Sequence, residues 1–254
     1  MGRGIGADSE VGCLRTALMH RPGPELSRIT PRTRDLLRMP TLPWVSRAQR
    51  EHDQLASLLR DHDVDVVYLV GLIQDVLEYS AARDEAIASV LASAELGDEL
   101  AAAVGRHLGT LGPEDLASAL TAGLTTGELR GGRGLVYDLL DPRDFVIEPL
   151  PNLVFSRDSS AWIGEQVIVG ALPGRRRRES DLLAVVYGHH PRFAGSKPVR
   201  IARSPFDCGD VVLLGPGVVG VGVGAHSAPA SAELLAGYLL DAGAASNSKE
   251  VTGA

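Results

Sequence analysis

Apolar residues fall into different registers along this chain, and each register predicts a different kind of element. In VGCLRTALMH (11–20) and VDVVYLV (64–70) they run together or alternate and are rich in β-branched side chains, which predicts strands. The turn Arg21-Pro22-Gly23-Pro24 closes the first of these, and a Pro-rich loop follows. Ser46 then stands where a helix N-cap belongs, with Leu55, Leu58 and Leu59 spaced to share one helical face. From Gly71 to Leu129 the chain is dense in Ala, Leu and Glu and poor in β-branched residues, a composition that predicts packed helices. Gly112-Pro113-Glu114 predicts a helix start with Pro at its first position, and Gly123 predicts the stop.

Beyond residue 135 the pattern returns to short strands: DFVI (144–147), NLVF (152–155), SAWIG (160–164) and QVIVG (166–170). A helix from about Arg176 to Tyr187 follows, then VRIA (199–202), VVLLG (211–215), VVGVGVG (218–224) and a helix from about Pro229 to Leu240. The order is ββαβ with hairpins rather than strict strand-helix alternation. The fold class is therefore α/β with a helical insertion. A first α/β module spans 1–70, the helical insertion 71–135, further modules 136–241, and a small-residue polar tail 242–254.

Composition narrows the functions. A 254-residue chain with 44% hydrophobic and 22% charged residues is long enough to bury a core and is not of the disordered type. A formal charge of -7 argues against a general nucleic-acid binder. No apolar run approaches the ~20 residues of a membrane-spanning helix. MGRGIGADSEVG has no apolar signal core, and Gly6 sits where a lipidation signal would want Ser or Thr, so the cytoplasm is the expected compartment. Two cysteines, Cys13 and Cys208, imply neither a disulfide framework nor a Cys-rich zinc site.

Polar groups gather at three strand ends: Asn152 with Arg157-Asp158, the run Arg175–Arg178 before Glu179, and FDCGDV (206–211). A planar guanidinium offers donors in a fixed fork that two carboxylates can accept, so paired Asp residues at strand ends suit a cation of that shape. Each Asp taken alone is also an ordinary turn or cap residue, and the arginine run reads equally as a solvated helix start. Other chemistries find no support. LRGGRG (129–134) lacks the phosphate-loop Lys-Ser/Thr, GVVGVGVG (217–224) precedes no phosphate-binding helix, and there is no GxSxG. His189-His190 are adjacent, so their side chains diverge rather than share a metal. Cys208 lies between carboxylates, which raise a thiol pKa and make it a poor nucleophile.

PLPNLVFSRDSS (149–160) closely resembles the PLPN-L-aromatic-F-T-RD motif of the arginine deiminase family. SEVGCLRTALMHRPGPEL, LPWVSRAQREHDQLASLLRDHDVDVVYL, ALTAGLTTGEL, YGHHPRF and GDVVLLGPGVV resemble further family segments in the same order, over roughly residues 5–240. The resemblance implies a pentein-type α/β propeller of ββαβ modules with an inserted helical domain. It implies hydrolysis of L-arginine to L-citrulline and ammonia without metal or organic cofactor, a Cys thiolate attacking a guanidinium carbon docked between carboxylates. By position, Asp158 accepts two N–H bonds from the guanidinium, and Asn152 and Phe155 line the substrate site. Arg176 binds the α-carboxylate, with the register inside the four-Arg run open by one. Asp207 takes the place of the family's catalytic Glu in EGGD, and Asp210 is that motif's last Asp.

Several positions depart from the family. The EGGD segment reads Asp207-Cys208-Gly209-Asp210, one methylene shorter at its first carboxylate. The family's ERT aligns with Ala225-His226-Ser227, and its acidic loop before the first helix with Leu37-Arg38-Met39-Pro40-Thr41. The family's catalytic His (in M-H-L-D) and Cys (in C-M-S) have no counterpart among these residues. The expectation is an incomplete propeller, truncated at its C-terminal side and inactive alone. The alternatives are a non-catalytic binder of arginine or guanidino compounds, one half of a split enzyme, or, more weakly, an amidinotransferase. Strand edges and an apolar face left uncovered favour a homo-oligomer.

Overall fold

Two short strands, β1 (Thr16–Met19) and β2 (Asp65–Tyr68), pair in parallel, Thr16 opposite Asp65 and Met19 opposite Tyr68. Parallel partners need a crossover. Here it consists of α1 (Pro24–Ser27), an irregular segment and α2 (Val45–Asp61). A computed structural model describes residues 5–202 and 204–243 of the chain. The first four residues, part of the stretch read above for a lipidation signal, and the tail from residue 244 lie outside the described residues.

The chain divides into two compact units, one of Leu14–Ser156, the other of residues 1–13 together with residues from Arg157 onward. The first unit continues through α3 (Leu69–Val76), α4 (Ser80–Ser93), α5 (Asp98–Thr110) and α6 (Pro113–Ala122). Helix α3 packs on α6 and α4 on α5. Their core is aliphatic: Leu69, Leu72, Ile73 and Val76 recur at helical spacing and are all buried, as are Leu100, Val104, Leu108, Leu116 and Leu120. Burial of each such side chain contributes about 1.5–3 kcal/mol relative to exposure. The hairpin partners β3 (Leu124–Thr125) and β4 (Phe145–Ile147), with the short α7 (Leu135–Leu139) between them, complete this unit.

The predicted helix limits at Gly112-Pro113 and Gly123 are the observed ones. Gly123 is at φ +80° and ψ 177°, a region open in practice to glycine alone. A Cβ there would lie 2.4 Å from the Ile147 carbonyl oxygen and 2.7 Å from the Pro149 nitrogen. The close approach lets the Leu150 N–H reach the Thr121 carbonyl at 2.8 Å, so the end of α6 fixes the start of the PLPN stretch.

Several expectations differ locally, the strands expected over 11–20, 199–202 and 218–224 among them, which reduce to Thr16–Met19, Val199–Arg200 and Val218–Val221. NLVF (152–155) is not a strand: the chain turns there and spends its N–H groups on local carbonyls. Leu153 donates to the Leu150 carbonyl and Phe155 to that of Asn152, leaving Leu153 buried and Val154 and Phe155 exposed. The strand expected over 64–70 ends at Tyr68, because the helical period of α3 claims Leu69 without an intervening turn residue. Ser46 does not cap α2; its hydroxyl accepts the Trp44 indole N–H at 2.9 Å. The buried stripe of α2 is His52 and Ala56, with Leu55 and Leu58 exposed. The His52 ring lies 5.8 Å from that of Tyr68 on β2, so this face of the helix is the one turned to the strand.

From Ser156, the last residue of that unit, α8 (Ser156–Ser159) leads into β5 (Ser160–Ile163) of the other, which pairs antiparallel with β6 (Gln166–Val169). Helix α9 (Arg177–His189), preceded by a 3-10 turn at Gly174–Arg176, carries the chain to β7 (Val199–Arg200), parallel to β6. A second hairpin, β8 (Val211–Gly215) with β9 (Val218–Val221), and α10 (Pro229–Asp241) follow. Ala161, Ile163, Ile168, Ile201, Phe206, Cys208, Val211, Leu213, Leu235 and Leu239 form one core. Beside it, Tyr187 meets Trp162 and Phe193 edge-on, with centroids 5.8 and 4.9 Å away. The architecture is mixed α/β, with its described strands in separate sheets of two, two, three and two. Among the described residues no helix is long and apolar enough to cross a membrane.

Two outcomes follow. Gly123→Ala should lower stability by about 1–3 kcal/mol from its backbone region alone, more with the Ile147 clash, measured by urea unfolding. His52 is buried with both ring nitrogens unpartnered, and burial, opposed by Asp53 but aided by Arg21, His20 and Arg60, lowers its pKa from 6.5. The unfolded chain therefore binds the proton first as pH falls. Stability should drop as pH passes below about 6.5 and level off below the folded pKa. In His52→Gln, the loss of unfolding free energy between neutral and mildly acidic buffer should be smaller.

Candidate functional site

The sequence Ser156-Arg157-Asp158-Ser159 makes a single helical turn, so adjacent side chains diverge. Arg157 turns one way, donating through Nη2 to the Val211 carbonyl and to Glu10 Oε1, each at 2.8 Å. Glu10 also accepts the Leu213 N–H at 3.2 Å. Arg157 is thus a structural tie between β8 and the N-terminal residues, which frees Asp158 to point elsewhere.

Asp158 meets Arg176, whose Nη2 donates to Asp158 Oδ2 at 2.8 Å. From the same guanidinium, Nε donates to Glu179 Oε2 at 3.1 Å, and Nη1 lies 4.0 Å from Asp207 Oδ2. Arg176 ends the 3-10 turn before α9 and Glu179 stands three residues on, the spacing that brings helical side chains together. The result is one guanidinium among three carboxylates. Glu179 is 1% exposed at its side chain and Asp207 13%, whereas Arg176 and Asp158 are 28% and 29% exposed, so the cluster opens on one side.

Asp207 is set by the turn Cys208–Asp210. Its Oδ1 accepts the Gly209 N–H at 2.8 Å, and its own N–H donates to the Ser227 hydroxyl at 3.1 Å. A Cβ on Gly209 would sit 3.0 Å from Asp207 Oδ1 and 3.2 Å from Asp158 Oδ1, so the bare backbone lets the two carboxylates converge. Asp210 is engaged from behind: Ser227, wholly buried, donates to its Oδ2 at 2.6 Å. Burial raises the Asp207 pKa, opposed by the Gly209 N–H, reinforced by Asp158, offset by Arg176 and reinforced again by Asp210. Burial works against the Arg176 charge, yet Glu179 and Asp158 outweigh it and raise its pKa further.

Of the residues singled out from sequence, Asp158, Arg176 and Asp207 therefore come together, and Asp210 stands directly behind them. Asn152 and Phe155 belong to the Leu14–Ser156 unit, where Asn152 is half-buried and Phe155 exposed. Glu179 and Ser227 were not expected as members. The spacing of three from Arg176 was the signal for Glu179. Ser227 had none, because only the fold brings it back to Asp207. Cys208 is wholly buried in the aliphatic core, its Sγ 3.7 Å from the Ile168 carbonyl. Burial first, and Asp207 second, push its thiol up to about 12. Among the described residues no group of three or more His, Cys, Asp or Glu is arranged to hold a metal ion.

This α/β unit thus brings three carboxylates to bear on the guanidinium of Arg176. The family model described as arginine deiminase matches residues 36–252, beyond residue 240, where the resemblance was expected to end. The arginine deiminase of Mycobacterium marinum is 48% identical over 243 residues, covering 93% of this chain and 60% of the relative. That of Rhodococcus erythropolis is 46% identical over 247 residues, covering 95% and 61%. That of Mycobacterium tuberculosis is 48% identical over 248 residues, covering 95% and 62%. The chain belongs to the arginine deiminase family and spans about 60% of the length of these curated relatives.

The environment of Cys208 has a direct consequence. Alkylation of the native chain with iodoacetamide should add one adduct, on exposed Cys13, with Cys208 labelled only after denaturation. Peptide mass spectrometry reads both sites.

Proposed function

We propose that this chain carries the guanidinium-recognition part of an arginine deiminase site and binds L-arginine without hydrolysing it. In this reading Asp158 accepts two N–H bonds from the substrate guanidinium, and Asp207 faces it from the other side. Asn152 and Phe155 line the site, Arg176 receives the α-carboxylate, and Asp210 braces the Asp207 turn. The observation that carries the reading is the grip of Asp158, Glu179 and Asp207 on a guanidinium, here that of Arg176. The family's reaction, L-arginine and water to L-citrulline and ammonia, needs a thiolate at the guanidinium carbon. Cys208 is buried with a pKa pushed up to about 12, so the residues here supply the clamp but no nucleophile at that position.

The matching architecture is a pentein-type propeller, with modules in 1–70 and 136–241, a helical insertion at 71–135 and a tail at 242–254. The β5–β6 hairpin, the α9 crossover and parallel β7 support the ββαβ reading. Self-association belongs to the same reading, since Val212 and Leu214 leave one face of β8 apolar and exposed. A second route to activity is completion by a separate polypeptide bearing the family's M-H-L-D and C-M-S segments.

Calorimetric titration of the purified 254-residue chain with L-arginine tests the proposal. The expected result is saturable binding that Asp158→Ala abolishes, with no citrulline formed under conditions where a longer relative turns over. Stoichiometric turnover by this chain, or binding indifferent to Asp158→Ala, would overturn it.

A further inference from the structure

Strand β8 has one strand neighbour among the described residues, β9, so its other edge carries no strand. Which groups face that edge follows from the register. The Gly222 N–H donates to the Asp210 carbonyl at 2.8 Å, and Val211, Val212 and Leu213 stand opposite Val221, Gly220 and Val219. Bonded and non-bonded pairs alternate in an antiparallel ladder, so Val211 and Leu213 turn their backbone groups outward. A bare N–H and C=O on a sheet edge are a template for a further strand. Here side chains cover both. Glu10 Oε1 accepts the Leu213 N–H at 3.2 Å, and Arg157 Nη2 donates to the Val211 carbonyl at 2.8 Å. The same Nη2 donates to Glu10 Oε1 at 2.8 Å, which holds the covering donor and acceptor side by side. Ala7 and Gly164 exchange backbone hydrogen bonds of 2.9 and 2.7 Å, anchoring the segment that carries Glu10.

We propose that the Glu10–Arg157 ion pair is a plug on the β8 edge, and that removing it lets two copies of this chain pair there strand to strand. The inference deepens the self-association proposed above, naming its edge and what holds it closed, and is independent of arginine binding. The occupant is a second copy because the edge is complementary to itself. Antiparallel pairing of two β8 strands about a two-fold axis at Val212 sends each Leu213 N–H to the Val211 carbonyl of the other copy. Those are the two groups the ion pair now satisfies. The same axis sets Val212 against Val212, a β-branched cross-strand pair. Val212 is 40% exposed, so little existing packing has to be given up. The ion pair itself is partly exposed on both sides and contributes little to stability, so its loss changes association rather than the fold.

Sedimentation velocity of the full chain and of Glu10→Ala over a concentration series tests the plug, with hydrogen exchange of β8 peptides as a second readout. Glu10→Ala should dimerise roughly tenfold or more tightly than the native chain, the size of two net backbone hydrogen bonds. Its β8 amides should gain protection as the dimer forms. Adding Val212→Lys sets like charges opposite each other across the axis and should cancel the gain. Adding Leu214→Lys, on the exposed face away from the axis, should leave it. Arg157→Met should act as Glu10→Ala does, and if circular dichroism shows one of them unfolded the other decides. Unfolding of both would make the pair a requirement of the fold and overturn the plug. Unchanged association in the folded variants overturns it, as does a gain that Leu214→Lys cancels and Val212→Lys leaves. A native chain already paired through a contact that Val212→Lys breaks overturns it too. A native dimer broken by Leu214→Lys alone supports the self-association read from the apolar face, and the plug is then judged on the association added by Glu10→Ala. A monomeric native chain with a dimeric Glu10→Ala removes the native self-association and keeps the plug.

Discussion

Around the Arg176 guanidinium the physical problem of this chain is stated and solved at once. Three carboxylates, from α8, from the first turn of α9 and from the turn before β8, are drawn together, and like charges at that range repel. One buried carboxylate, Glu179, and one nearly so, Asp207, would be costly without a cation. The guanidinium, with donors spread over a rigid plane, answers several of them simultaneously, which a point charge on a lysine would not. Everything nearby serves that convergence: Gly209 removes a side chain between Asp158 and Asp207, and Ser227 holds the backbone of one carboxylate and the side chain of another.

The same electrostatics separate holding a guanidinium from cutting it. Carboxylates that stabilise a cation raise the pKa of any thiol beside them, so a nucleophilic cysteine has to be supported by opposing charge or by exposure. Cys208 has neither; it fills the aliphatic core between β6 and β8 and behaves as a small apolar side chain.

Much of the scaffold was legible in the pattern of apolar positions. The Gly112-Pro113 start and Gly123 stop of α6 could be read because proline and glycine act through their own backbone geometry. The hairpin β5–β6, the crossover α9 and the hairpin β8–β9 followed from strand-like runs broken by turn residues. The strand expected at NLVF failed because an apolar run reports burial, not dihedral angles, and its Leu153 and Phe155 N–H groups went to local turn carbonyls. The α2 face failed because a histidine, not a leucine, makes the buried contact with β2.

For the site, sequence by itself determined the residue types: an Asp after Arg157, an Arg run ahead of Glu179, an Asp pair around Cys208-Gly209. Those identities sufficed to suggest a guanidinium, since charge and donor geometry belong to side chains wherever they stand, while the family came from the resemblance of PLPNLVFSRDSS and the segments in order with it. Only tertiary structure decided which way each one faced. It turned Arg157 outward as a tie to β8, placed Arg176 against Asp158, sank Cys208 into the core and brought Ser227 back under Asp207. Direction depends on long-range closure, and no local spacing along the chain encodes the distance between residues 158, 176 and 207.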